Sequence, residues 1–351
     1  MNSLSINILA VNFHVDAIAR AIIITQNNRS QNTVAECSKL SHDQVSRSIH
    51  LNENHVTFYV DQNIELAKQA HTQNPGVLAL DDFRISKQYS GTDAPGKSTD
   101  LNGSDKTVTN GYTLVCISFV NSEFTIPLIF EYWVNREYAG DDYKKKYEIG
   151  ITLLKRINEK LKGLTFVADG AYNNKIMRQE LRLLGIHFIL KVARNRAFFT
   201  KNGTKIKVEN ACSLKRNSHW AEANLYEDDE ISIPIHCYVQ KFDKERSIHV
   251  TTDFMLDKKL ATSTYRLRND VEVMHRELKQ SLGLCDWSVR VLEKRTGVII
   301  LTFNAYIMLQ ITAQITGVKN IQNAQKWLQN PKNNIEALLK SRSNNSVGAY
   351  A

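Results

Sequence analysis

The sequence predicts an α/β fold, a sheet with helices packed on it. Three observations predict it. Short apolar runs alternate with helical patterns between residues 77 and 196. A second β-rich stretch follows between 204 and 252, and helices come after it. At 351 residues, 42% of them apolar, the chain can bury a core large enough for such a sheet.

The elements run as follows. Residues 1–74 read as a helical region and a candidate DNA-binding one. Within it "NTVAECSKLSHDQVSRSIH" (32–50) reads as two short helices, broken near Ser41, whose hydroxyl can cap the second. A helix-turn-helix would turn Gln44, Ser46 and Arg47 toward DNA, although an ordinary helical pair explains the same text slightly better. "VLALDDF" (77–83) has a strand pattern. Residues 84–110, with Pro95, Gly91, Gly96 and Gly103, read as a long loop of the kind that often carries function. "GYTLVCISFV" (111–120) and "FTIPLIFEYWV" (124–134) read as strands, and 141–162 as a basic amphipathic helix. "LTFVADG" (164–170) is a short strand ending in an aspartate, followed by a helix (173–185) and a strand (186–196). Residues 201–255 form a β-rich insertion. A helix over 265–282 and others over 296–316 and 321–340 complete the elements, before a tail expected to be mobile. The resulting division is 1–74, 75–200, 201–255, 256–316 and 317–351.

The net charge of +9 favours an anionic partner, nucleic acid first. The five cysteines form no C-x-x-C pair, so neither a zinc knuckle nor a disulfide framework is expected. That usage fits a reducing, cytoplasmic setting. No run of about 18 uninterrupted apolar residues suggests a membrane span. The N-terminus lacks a basic region and cleavage site of signal-peptide type. No G-x-x-x-x-G-K-[ST] loop is present, which disfavours a P-loop nucleotidase.

Chemistry concentrates in four acidic side chains. Asp81 and Asp82 end the first apolar run, Asp169 ends the fourth, and Glu272 lies on the late helix. Neighbouring strand ends in an α/β sheet are where clefts form. A lone strand-end aspartate is as often a turn residue. Several carboxylates held together repel unless a cation sits between them, and hard oxygen donors suit Mg²⁺ or Mn²⁺. Two such ions serve in-line phosphoryl transfer. Alternation puts Asp81 and Asp82 on opposite faces of their strand and leaves open which is the ligand.

The late helix carries two stripes. Leu267, Val271, Met274, Leu278 and Leu282 make an apolar one, and Tyr265, Arg268, Glu272 and Lys279 lie beside it within roughly 60° of one another. Taken alone, the second stripe is explained best by i,i+4 ion pairs on a wet surface.

The same four residues carry a resemblance. Tyr265-x2-Arg268-x3-Glu272-x6-Lys279 is similar to the Y-R-E-K signature of bacterial insertion-sequence transposases of the DDE class. "VEVMHRELKQSLGL" (271–284) resembles that family's third-carboxylate helix, "LALDDF" its first-aspartate strand and "VADGAY" (167–172) its second. "IPLIF" (126–130) and "ILKVARNR" (189–196) resemble its connecting elements. The likeness spans roughly residues 75–315, with departures at Phe83 and Asn269, neither of them a ligand. It implies a ribonuclease H-like mixed sheet flanked by helices, with a β-rich insertion before the last catalytic helix. It implies Asp81, Asp169 and Glu272 as catalytic, metal-binding carboxylates for two Mg²⁺ or Mn²⁺ ions. Tyr265, Arg268 and Lys279 would contact phosphate. The implied partners are DNA, as terminal inverted repeats and as target, and a second copy of the chain in the DNA complex. The implied setting is the bacterial cytoplasm, at the nucleoid.

His275 and Arg276 flank the stripe and are further DNA-binding candidates, as are Lys191 and Arg194. For Lys191, Arg194 and Arg196 a solvated basic edge is an equal explanation. For Lys144, Lys145 and Lys146 a solvated face is the better one. Trp133, Trp220 and Trp287 are candidates to stack on an extruded base, but packing explains any one of them more simply. Two other functions fit the sequence: a transposase-derived DNA-binding protein without catalysis, and a ribonuclease H-like nuclease without strand transfer.

Overall fold

The computed structural model describes residues 13–25, 30–87, 96–101, 107–211, 220–226, 234–242, 245–253, 255–330 and 333. Four helices open it: α1 (Phe13–Ile24), α2 (Gln31–Ser38), α3 (His42–Ser48) and α4 (Glu53–Gln73). Then come β1 (Val77–Ser86), β2 (Ser98–Leu101), β3 (Val108–Val120), β4 (Thr125–Trp133), α5 (Arg136–Ala139) and α6 (Lys146–Ile157). Next are β5 (Thr165–Ala168), α7 (Lys175–Leu183), β6 (Phe188–Lys191), β7 (Ala197–Phe199), β8 (Lys205–Lys207) and α8 (Val208–Ala211). The insertion supplies β9 (Trp220–Tyr226), β10 (Pro234–Phe242) and β11 (Glu245–Thr251). The last helices are α9 (Lys258–Arg266), α10 (Arg268–Gln280), α11 (Leu292–Thr316) and α12 (Ile321–Gln329).

At the centre, β1 pairs antiparallel with β3, and β3 antiparallel with β4. On its other side β1 pairs parallel with β5, and β5 parallel with β6. The order β4-β3-β1-β5-β6 with this polarity is the ribonuclease H-like arrangement. Beyond β6 the sheet continues through β11, β10 and β9 to β7 and β8. The insertion is therefore an extension of the same sheet.

The central strand is buried on both faces, as its near-continuous apolar text requires. Val77, Ala79, Phe83 and Ile85 face one core layer with α1, α10 and α11. Leu78 and Leu80 face the other with α4, α6 and α7. Gly150 lets α6 approach β1 closely, since a Cβ there would lie 2.6 Å from Leu80 Cδ2. The α11 helix is long and apolar enough by composition to cross a membrane, but 83% of that stretch is packed inside the protein.

Several expected boundaries move. β1 runs on to Ser86, because β3 supplies hydrogen-bonding partners that far. The expected loop over 84–110 contains β2, a polar segment made into a strand by pairing with β3. The helix expected over 265–282 divides at Leu267. There the bonding tightens, with Leu267 N–H donating to the Thr264 carbonyl and Asp270 N–H to the Leu267 carbonyl. The strand expected to reach 196 ends at Lys191, and the last helix ends at Gln329. The tail and Cys212 lie outside the described residues.

Candidate active site

Asp81 lies in the middle of β1, not at its end, and faces α10. Asp169 follows β5 directly. Because Leu80 and Ala168 are register partners on adjacent parallel strands, Asp81 within β1 and Asp169 just past β5 lie side by side. The first turn of α10 lies over them, held by Val271, Met274 and Leu278, all fully buried. This is the apolar stripe expected from the sequence, and it aims Arg268 at the two aspartates, with Glu272 beside it.

One guanidinium joins the three carboxylates. Arg268 Nη2 donates to Asp81 Oδ1 at 3.0 Å and lies 3.8 Å from Asp169 Oδ2. Its Nη1 donates to Glu272 Oε1 at 2.7 Å. The Arg268 side chain is only 10% exposed, whereas that of Glu272 is 59% exposed and forms the outer rim. Burial pushes the Asp81 carboxyl up to about 7, against the pull of Arg268 and with a further push from Asp82 and Asp169. Asp169 also has the turn role of many strand-end aspartates, since its Oδ1 accepts from Ala171 N–H at 2.8 Å.

Asp82 points to the opposite face of β1. Its Oδ1 accepts from the Tyr172 hydroxyl at 2.8 Å and its Oδ2 from Lys146 Nζ at 2.8 Å. Lys146 also donates to Asp100 at 3.2 Å and sits 4.7 Å from the centre of the Trp133 ring. Lys146 is therefore an internal partner, not part of a solvated face.

The other candidates divide. Arg276 is exposed on α10 and Lys279 half-buried one turn later. His275 is buried and stacked on Phe83 at 4.1 Å, so its ring fixes α10 against β1 instead of reaching outward to DNA. Burial and the nearby cations Lys279 and Arg268 push it down to about 3 and keep it neutral, so its 3.8 Å approach to Asp81 Oδ2 is no ion pair. Tyr265, in the last turn of α9, packs on His249 of β11, 4.2 Å away between ring centres. Lys191, Arg194 and Arg196 are exposed beside the site. Arg196 lines a polar cavity of about 260 Å³ next to Asp169 with Gly170, Asn173, Ala193, Asn195 and Ala197. Trp287 is fully buried, which leaves it a packing role.

Sequence reasoning missed the anchors of this site. Lys87 donates to the Cys285 carbonyl and, at 2.7 Å, to that of Trp287. Arg295 donates to the carbonyls of Trp287 at 2.8 Å and Val289 at 2.7 Å. Both hold the segment after α10 in place, and nothing local in the text marks the Lys87 pairings, which span nearly 200 residues.

Three oxygen-bearing acids are the right donor chemistry for a hard divalent ion. As spread around Arg268, however, they do not converge as ligands: no group of three His, Cys, Asp or Glu is placed to hold a metal among the described residues.

Fold and site together define a ribonuclease H-like protein with an acidic centre. Residues 141–308 match the transposase DDE domain family. The matched span includes Asp169 and Glu272, and Asp81 precedes it. Among solved structures the chain is similar to the piggyBac transposase synaptic complex with hairpin DNA. That match has a TM-score of 0.48 and 10% identity, over 95% of this chain and 75% of that one. It is also similar to the Mos1 transposase paired-end complex with left transposon end, with a TM-score of 0.20 and 14% identity, over 51% of this chain and 59% of that one. No curated protein sequence matches it.

Proposed function

We propose that the protein is the DNA transposase of an insertion sequence, cutting and joining strands at inverted-repeat ends by metal-dependent phosphoryl transfer. The observation that carries this reading is the meeting of Asp81, Asp169 and Glu272, from three separate segments, on one cation. In this reading the three carboxylates hold two Mg²⁺ or Mn²⁺ ions once Arg268 has withdrawn. Such ions, when bound, neutralise the charge that builds on the scissile phosphate. Tyr265, Arg268 and Lys279 bind phosphate beside them, and Arg276, Lys191 and Arg194 track the backbone of the duplex. The protein acts in the cytoplasm, on the nucleoid, as a dimer that pairs two DNA ends.

The N-terminal helices fit a role in holding the duplex. α2 and α3 are separated by three residues, with Lys39 in the left-handed conformation (φ 58°) and Ser41 capping α3. Arg47 is exposed, as a DNA contact requires. Gln44 is instead engaged by the Ser41 N–H at 2.7 Å, and Ser46 accepts from Lys294 at 2.6 Å.

The test is cleavage of a labelled duplex carrying the element's terminal repeat, with Mg²⁺, comparing wild type with Glu272→Gln. Cleavage at the repeat boundary by wild type, reduced at least about a hundredfold in the variant, is expected. Equal cleavage would remove Glu272 from the site. Binding without cleavage by either protein would favour a transposase-derived DNA-binding protein, a reading that the engagement of all three carboxylates by Arg268 supports. Cleavage without a joined product would favour a nuclease.

A further inference from the structure

We propose that the cavity between α4, the outer edge of β4 and α11 binds a small, uncharged, planar aromatic molecule that carries a hydroxyl group. The inference does not depend on the transposase reading.

The cavity exists because β4 is an edge strand, paired with β3 on one side only. Such an edge has backbone groups that other parts of the chain must cover. Two helices cover its first part. Thr125 N–H donates to Gln310 Oε1 and the Thr125 carbonyl accepts from Gln310 Nε2, both at 2.7 Å. The Pro127 carbonyl accepts from Asn63 Nδ2 at 3.0 Å. From Leu128 to Tyr132 the helices leave a space of about 280 Å³ along the strand. Val56, Tyr59 and Asn63 wall it from α4, and Thr296, Ile300 and Phe303 from α11. Spacings of three and four residues put each set on one helix face.

The volume sets the size of the occupant. An apolar cavity of about 150 Å³ admits benzene. A space nearly twice as large suits two fused rings. The rings of Tyr59, Phe130, Tyr132 and Phe303 in the walls favour a planar aromatic body.

Two polar atoms call for a hydroxyl. Tyr59 is 6% exposed, and its own hydroxyl has no hydrogen-bond partner among the described residues. Burial pushes it up to about 12, so it stays a proton donor through the neutral range. Asn63 spends its Nδ2 on Pro127, and no described group donates to its Oδ1. The two residues are neighbours four apart on one helix. A single hydroxyl can accept from Tyr59 and donate to Asn63 Oδ1. It would recover the free energy that a buried donor loses without an acceptor. The Tyr132 and Thr296 hydroxyls bond each other at 3.1 Å and ask nothing of a ligand. Glu131 and Arg156, the charged residues of the lining, have opposite signs, so a neutral molecule is favoured over an ion.

The test is equilibrium dialysis of 2-naphthol, and separately of naphthalene, against the full chain. Wild type, Tyr59→Phe and Ile300→Trp are compared, with circular dichroism to show that each variant is folded. Wild type should bind 2-naphthol saturably at one site. Tyr59→Phe removes only the donor, and it should weaken 2-naphthol about fivefold while leaving naphthalene within about twofold. Ile300→Trp fills the cavity and should abolish binding of both. Absence of saturable 2-naphthol binding by wild type would overturn the proposal. So would a Tyr59→Phe variant that binds 2-naphthol as wild type does, or that weakens both compounds equally. Unchanged binding by folded Ile300→Trp would place the ligand elsewhere and overturn it as well. If Ile300→Trp does not fold, the Tyr59→Phe comparison decides alone.

Discussion

Asp81 and Asp82 are chain neighbours with opposite surroundings. The first faces α10 and shares Arg268 with two other acids. The second faces α6 and is bound by Lys146 and Tyr172. The alternation of a strand forces this split, and the partners on each face define each residue's work. Replacing Asp82 by asparagine keeps an Oδ1 to accept from the Tyr172 hydroxyl, but it removes the carboxylate charge and turns an amide N–H donor toward the Lys146 ammonium. Asp82→Asn should therefore lower stability by roughly 1–3 kcal/mol, measured by urea unfolding. Mn²⁺ binding should fall far less than in Asp169→Asn, because Asp82 points to the other face of β1, away from the carboxylates that Arg268 joins. A loss of Mn²⁺ binding in Asp82→Asn comparable to that in Asp169→Asn would place Asp82 in the metal site instead.

At the scale of elements, what could be read in the text depended on whether the signal was local. The apolar stripe Val271, Met274, Leu278 is a local 3.6-residue pattern, and α10 buries those very residues. The short apolar strand before Asp169 is equally local. β2 was not legible: Ser98–Leu101 is polar, and only β3 makes it a strand. The break at Leu267 has no glycine or proline to announce it. The position of Arg268 among the acids depends on β1, β5 and α10 meeting, which no spacing within one helix encodes. Gly297 is a further long-range case. A Cβ there would lie 1.9 Å from the Ile49 carbonyl oxygen, so α11 and the end of α3 touch through backbone. Gly297→Ala should cost at least roughly 1–3 kcal/mol by overpacking, despite the better helix propensity of alanine. Thermal melting would show it, and a melting point equal to or above that of wild type would mean the N-terminal helices do not sit on α11.

Across the whole molecule, the candidate site lies where one core layer meets the sheet, and two buried histidines lock that junction. His275 holds α10 to β1 through Phe83, and His249 holds β11 to α9 through Tyr265. Burial, reinforced by Lys191, pushes His249 down to about 3. In an unfolded chain a histidine titrates near 6.5. Above pH 7 neither state of His249 carries the proton, and it adds no pH dependence. As the pH falls from 6.5 toward 3, the unfolded chain gains a proton that the folded one refuses, so stability is lost with acid. Asp81 acts in the opposite sense: raised to about 7, it holds a proton in the folded state that the unfolded chain has released between roughly pH 4 and 7. The raw stability curve mixes the two, so the informative quantity is the difference between wild type and His249→Phe, which keeps a ring against Tyr265. That difference should be flat above pH 7. It should move against wild type by about 1 kcal/mol per pH unit between pH 6 and 4, the linkage slope of a single proton. Denaturant unfolding at pH 7.5, 6, 5 and 4 measures it. A difference that stays constant across that range would mean His249 takes up its proton in the folded state, and that the contact between the inserted strand and the end of α9 is open to water.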